Sequence, residues 1–204
     1  MHEENEIKSK ILKRAFEVFT QFGFSRVTME EIATGLCISK KTLYKFFNNK
    51  EHLVKEVIEN EKCDVTVNVD AILDDGSLDF LAKLEKLLSY VGSQSGRFHG
   101  PMMADLMRAH PEIWNDIKEF RRQRTTEKLS KLFSEGVEQG LIRSDVNIEI
   151  VTVMYVSTMH YLIDPDTILN IKLTPEVVMS EMIKILFEGV LTDSGRSRYS
   201  QIKF

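Results

Sequence analysis

Cysteine is scarce in this chain, with Cys37 and Cys63 the only two among 204 residues. Two thiols without metal-ligand spacing exclude a disulfide framework and suggest reduced cysteines in a cytoplasm. No apolar run reaches the roughly 18–20 residues that a membrane helix needs, and the polar opening MHEENEIKSK does not read as a signal peptide. His99, His110 and His160 form no metal-ligand spacing with Cys63 or Asp105, so neither a metal nor a cofactor is expected. A glycine-rich phosphate loop, a G-x-S-x-G elbow and an H-E-x-x-H pair are all missing, and no catalytic residues can be nominated. What remains is ordinary for a globular protein: 43% hydrophobic and 28% charged, with length enough for a real core.

The informative stretch runs from Val27 to Leu53, VTMEEIATGLCISKKTLYKFFNNKEHL. Thr28 and Glu31 are spaced as a capping box, and Val27 and Ile32 as the hydrophobic staple around it. Ile32, Ala33 and Leu36 give the helix a small apolar face. Ser39 caps a second short helix, with Ile38 and Leu43 as its staple. Leu43, Phe46 and Phe47 point to a core, which leaves Lys40, Lys41, Thr42, Tyr44 and Lys45 outside. Asn49 or Asn48 caps a third helix with Lys50 in its first turn. Two short helices around a tight turn, the second with a basic exposed face, form the pattern of a helix-turn-helix that enters the major groove. Lys40, Lys41 and Lys45 stand where lysine can donate to guanine O6 and N7.

Ile32-Ala33, Ile38-Ser39-Lys40-Lys41-Thr42-Leu43-Tyr44, Phe47 and Lys50-Glu51-x-Leu53 together resemble the DNA-binding signature of the tetracycline-repressor (TetR) family. The resemblance covers about 45 N-terminal residues; beyond them the chain is similar in length and helix plan only. It implies that Thr28, Thr42, Tyr44 and Lys50 contact phosphates, which suits hydroxyls, an ammonium and helix N-termini. Four positions, in three places, depart from the family pattern. Cys37 stands where the turn usually has glycine, a position that needs a left-handed backbone. Lys45 and Phe46 replace the usual aromatic and His/Tyr residues, and Gly35 weakens the first helix of the motif. A thiol at Cys37 would lie near Lys40, Lys41 and a helix N-terminus, an arrangement that can raise reactivity, although an inert small residue in a turn is the simpler expectation.

The net charge of −4 argues against DNA binding, but its distribution argues for it. Residues 1–55 hold ten Lys or Arg against seven Glu, a net of +3, and the remainder carries −7. A basic end on an acidic body suits a DNA reader with a separate second domain. The expected fold is all-α, about nine helices: a helix-turn-helix domain over 1–50, an effector-binding and dimerisation domain over 51–192, and a mobile tail over 193–204. Helix 1 spans about 4–22 and closes at Gly23; Ser77 caps helix 5; Gly92 to Gly100 is a loop; Pro101 and Pro111 open helices 6 and 7; Gly140 closes helix 7; Asp164-Pro165 stops helix 8; and Thr174-Pro175-Glu176 opens helix 9. Val65, Val67 and Val69 alternate as in a strand, yet a lone strand has no partner, so helix 4 is expected to continue through them.

Helices 8 and 9 are apolar on more than one side, which points to a homodimer joined through a four-helix bundle. Val178, Met182, Ile183, Leu186 and Phe187 are the candidate interface. The large, adaptable side chains of the second domain suit a pocket for varied apolar ligands, and the resemblance implies an effector site among helices 5 to 8. Its candidate lining is Leu84, Leu88, Met103, Met107, Trp114, Ile117, Phe120, Met154 and Tyr155. Arg121, Arg122 and Arg124 read as a solvated basic face. The functional expectation is a cytoplasmic, homodimeric repressor that binds a palindromic double-stranded operator and is released by a small, largely apolar effector. The alternative is a ligand- or protein-binding module on the same fold that has ceased to read DNA.

Overall fold

The computed structural model describes residues 2–94, 100–163 and 175–200. These residues form ten helices: α1 (His2–Phe22), α2 (Met29–Gly35), α3 (Lys40–Phe46), α4 (Lys50–Leu73), α5 (Phe80–Gln94), α6 (Pro101–Ala109), α7 (Pro111–Glu138), α8 (Ile148–Ile163), α9 (Pro175–Val190) and α10 (Asp193–Tyr199). The only β pairing among them is one antiparallel bridge, Ile142 to Leu191. The all-α expectation is met. Residues 95–99, the Asp164-Pro165 stop and the Thr174 cap lie outside the described residues.

Most helix ends are made by the local signals read from the sequence. Gly23 follows α1 at φ 80° and its N–H returns to the Phe19 carbonyl at 2.8 Å. Phe24 then packs edge-on against Phe19. Gly140 closes α7 in the same way at φ 68°, and Leu141 behind it is buried. The Val65–Val69 stretch is helical throughout, as part of α4. Helix α5 differs. Its cap is Asp79, whose Oδ1 accepts the Ala82 N–H at 2.9 Å. Ser77, the expected cap, instead gives its backbone N–H and hydroxyl to Asp75 in a turn one step earlier.

Two compact units divide the chain, and each is discontinuous. The first joins the residues up to Asn68 with those from α6 to Asp116. Its core is Ile11, Ala15, Phe19, Ile32, Leu43, Phe47, Leu53 and Val57, together with Met102 and Leu106 of α6. The expected boundary at residue 50 therefore moves: the head includes most of α4 and recruits α6, which packs on α1. Lys62, near the middle of α4, bonds Glu59 at 2.8 Å and also Asp116.

The second unit is built on Phe80, Leu84, Leu132, Phe133, Leu141, Ile142, Ile183, Phe187 and Leu191. Lys83 is buried beside them and is held by both oxygens of Glu135, at 3.0 and 2.8 Å. That pairing keeps a buried ammonium from standing alone. Residues 193–199 of the tail form α10. Thr192 caps it by accepting the Gly195 N–H, Arg198 bonds Asp79, and Tyr199 stacks on Phe187 with ring centroids 5.5 Å apart. Gly195 is buried, and a Cβ there would lie 2.3 Å from the Leu141 carbonyl oxygen. Glycine is thus what lets the tail dock.

The structure also corrects several expected faces. Phe187 is only 2% exposed and Ile183 is buried, both within their own chain's core. Val178, Met182 and Leu186 are half-buried. Met154, expected in a pocket lining, is 61% exposed, because α8 buries Thr152 and Val156 and turns position 154 outward. Among the three arginines of α7, Arg122 and Arg124 lie on a charged surface with Glu119 and Glu127. Arg121 does not: it is half-buried, and desolvation pushes its guanidinium down to about 10.

Candidate nucleic-acid interface

The head presents α2, the turn and α3 as a local construction of caps. Thr28 Oγ1 accepts the Glu31 N–H at 3.2 Å, and Glu31 Oε2 accepts the Thr28 N–H at 2.7 Å. The reciprocal capping box is complete. The Thr28 hydroxyl also donates to Glu31 Oε2, and these Thr28 bonds, the backbone one foremost, hold the Glu31 carboxyl below its ordinary range. Val27 and Ile32 are both buried, as a staple requires. Gly35 has a reason to lack a side chain: a Cβ there would stand 3.2 Å from Arg14 Nε of α1. The residue that weakens α2 as a helix also admits the guanidinium of its neighbour.

The turn closes by two backbone bonds. Ile38 N–H reaches the Ala33 carbonyl and Cys37 N–H reaches the Thr34 carbonyl, each at 3.0 Å. This is the paired-bond helix ending that normally has glycine at its left-handed position. Cys37 occupies that position at φ 54°, the only non-glycine with positive φ among the described residues. The expected strain is present, and the Cys37 thiol is exposed.

Ser39 caps α3 by accepting the Thr42 N–H at 3.0 Å, and the hydroxyls of Ser39 and Thr42 lie 2.8 Å apart. Leu43 and Phe47 are fully buried, which fixes the roll of α3. Phe46 is half-buried against Phe47. Tyr44 is consequently 47% exposed, and Lys40, Lys41 and Lys45 are exposed. Lys50 is half-buried at the start of α4, where its ammonium donates to the Val27 and Ser25 carbonyls at 2.9 and 3.4 Å. Those two carbonyls hold the charge beside the N-terminus of α2, which carries Thr28. Thr28, Ser39, Lys40, Lys41, Thr42, Tyr44, Lys45 and Lys50 are thus all carried by the motif or its immediate neighbours. The sequence reading missed two acids next to them: Glu30 lies 2.7 Å from Lys40, and Glu4 lies 2.5 Å from Lys45. Their separations along the chain, 41 positions for Glu4 and Lys45, leave no local pattern to find.

Of the expected effector lining, Met103 and Leu84 are buried, each in its own unit's core, and Ile117 is buried as well. Leu88, Met107, Trp114, Phe120 and Tyr155 are half-buried. Burial raises the Tyr155 phenol to about 12.

An N-terminal helix-turn-helix that turns lysines and a tyrosine outward, on a chain otherwise built of helices, defines a DNA-binding transcriptional regulator. Residues 11–57 match the family model described as bacterial regulatory proteins, tetR family. YvaF of Bacillus subtilis, an HTH-type transcriptional regulator, is 27% identical over 90% of this chain and 95% of its own. A transcriptional regulator from Cytophaga hutchinsonii has the same fold at a TM-score of 0.71, with 20% identity over 89% of this chain and 97% of that one. SmeT, the repressor of a Stenotrophomonas maltophilia multidrug efflux pump, superposes at 0.66 with 13% identity over 91% of both chains; SmeT has also been solved as a complex with triclosan. No helix among the described residues is long and apolar enough to cross a membrane.

Proposed function

We propose that the chain is a homodimeric repressor, working in the cytoplasm, that leaves a palindromic operator when a small, largely apolar effector binds. The observation that carries the dimer is the apolar surface left outside on α8 and α9. Ile150, Val153, Met154 and Tyr161 on α8, and Val177 and Ile185 on α9, are exposed. Residues 150, 154 and 161 recur at helical spacing, so they form a stripe. A stripe of this kind is covered by a second copy through a four-helix bundle. Two heads held by that bundle would place two copies of α3 in successive major grooves. Thr28, Thr42, Tyr44 and Lys50 then hold phosphates, and Lys40, Lys41 and Lys45 read base edges.

The effector reading rests on the half-buried Leu88, Phe120 and Tyr155 of the second unit, large side chains that suit apolar molecules. Helix α4 begins in the head and is the element an effector would shift. The effector must bind the DNA-free conformation better, or it changes nothing. The test is a gel shift on the DNA upstream of the chain's own gene, run beside sedimentation. A dimer that retards this DNA, and releases it on addition of an apolar compound, is the expected result. A monomer at micromolar concentration that leaves the DNA unshifted refutes the reading.

A further inference from the structure

Two carboxylates from outside α3 neutralise lysines on it. Glu30 comes from the first turn of α2 and meets Lys40 at 2.7 Å. Glu4 comes from the first turns of α1 and meets Lys45 at 2.5 Å. All four side chains are more than half exposed. Lys41, between the two pairs, has no ion-pair partner among the described residues. The start of α1 is acidic as a whole, with Glu3, Glu4 and Glu6 in sequence order. The hydrogen bond and charge of Lys45 hold the Glu4 carboxyl below its ordinary range.

We propose that Glu4 and Glu30 guard the recognition helix, cancelling two of its three lysines in the free protein and so suppressing attachment to DNA of arbitrary sequence. The inference rests on α3 being the DNA-facing helix. Sequence-independent attachment is driven by lysines and arginines that displace counterions from phosphates. A lysine already bound to a carboxylate adds nothing to this drive until it leaves its partner. When it leaves, the carboxylate stays unpaired beside a polyanion, which repels it. At a matching site the lysine gains base-edge bonds to guanine that offset this loss; elsewhere it gains one phosphate and does not. The acids therefore widen the gap between right and wrong DNA, weakening the wrong complex more than the right one. Exposed pairs of this kind add little to folding stability, so Glu4→Gln and Glu30→Gln leave the fold intact.

The test is fluorescence anisotropy on the full chain with a duplex of arbitrary sequence, over a range of salt concentrations. Each lysine set free makes one more phosphate contact, and the log–log salt slope steepens by about 0.9 per lysine in each protomer. Extrapolated from a 1 M reference, that slope is about fivefold in affinity per lysine at about 0.15 M salt. The double variant Glu4→Gln, Glu30→Gln should show roughly the sum of the two single effects. Adding Lys45→Gln to Glu4→Gln should restore the wild-type slope, which a purely structural role of Glu4 would not do. Wild-type affinity and slope in both Glu variants overturn the proposal while leaving α3 as the DNA reader. If neither wild type nor variants bind any duplex, the DNA-facing reading of α3 falls as well.

Discussion

The Ser25 backbone N–H donates to Asp105 Oδ2 at 2.8 Å, across 80 positions of sequence. The same oxygen would stand 2.5 Å from a Cβ at position 23, so Gly23 is needed for this approach as well as for its positive φ. Asp105 thereby fastens α6 to the link between α1 and α2. Asp105→Ala leaves the Ser25 donor without this partner and should cost about 1–3 kcal/mol of head stability. Gly23→Ala adds backbone strain to a clash and should cost at least as much. Urea unfolding of the variants measures both, and an unchanged midpoint for Asp105→Ala would show the bond to be without weight.

Cys37→Gly should make the protein more stable. A left-handed backbone costs a side-chain-bearing residue around 1 kcal/mol that glycine does not incur, and Cys37 sits at φ 54°. The extra freedom of glycine in the unfolded chain takes back part of the gain. The expected outcome is a thermal midpoint a few degrees above wild type, read by circular dichroism.

Ile185→Glu and Phe187→Glu should behave differently although they are two residues apart. Ile185 is 71% exposed and Phe187 is packed between Phe133 and Tyr199. Ile185→Glu should give a folded chain that sediments as a monomer. Phe187→Glu buries an unpaired carboxylate and should fail to fold. A folded dimer from Ile185→Glu would remove α9 from the proposed interface.

Acid should loosen the second unit through Asp79. The Ala82 N–H, and after it Arg198, hold this carboxyl below its ordinary range. A depressed carboxylate stabilises the native state above its unfolded pKa of about 3.9, and that share is lost as pH falls through the lower folded value. Asp79→Asn should therefore lower stability at neutral pH and flatten the decline below about pH 4. Denaturant midpoints taken across the acid range, wild type against variant, check the sign.

The parts of the fold that were legible are those written in short spacings. Thr28 with Glu31, Ser39 with Thr42, and the glycines at 23 and 140 each act within one turn, and all four stand where the sequence placed them. Helices α8 and α9 were legible as helices but not in their roll. A sequence apolar on several sides does not say which side meets its own core, and Ile183 and Phe187 turned out to meet it. The compact units are less legible than a division at residue 50, because such units need not be contiguous and α6 returns to lie on α1. The end of the chain was illegible for another reason. The run DSGRSRY has almost no apolar signal, and what docks it is the absence of a side chain at Gly195.

The turn between α2 and α3 is closed by main-chain hydrogen bonds alone, so the sulfur of Cys37 has no structural duty. It is a ready attachment point at the mouth of the recognition helix. With Cys63, the only other thiol, changed to serine, a nitroxide or a small fluorophore at position 37 would report the arrival of DNA through its own mobility, without a reporter having to be engineered into the reading surface.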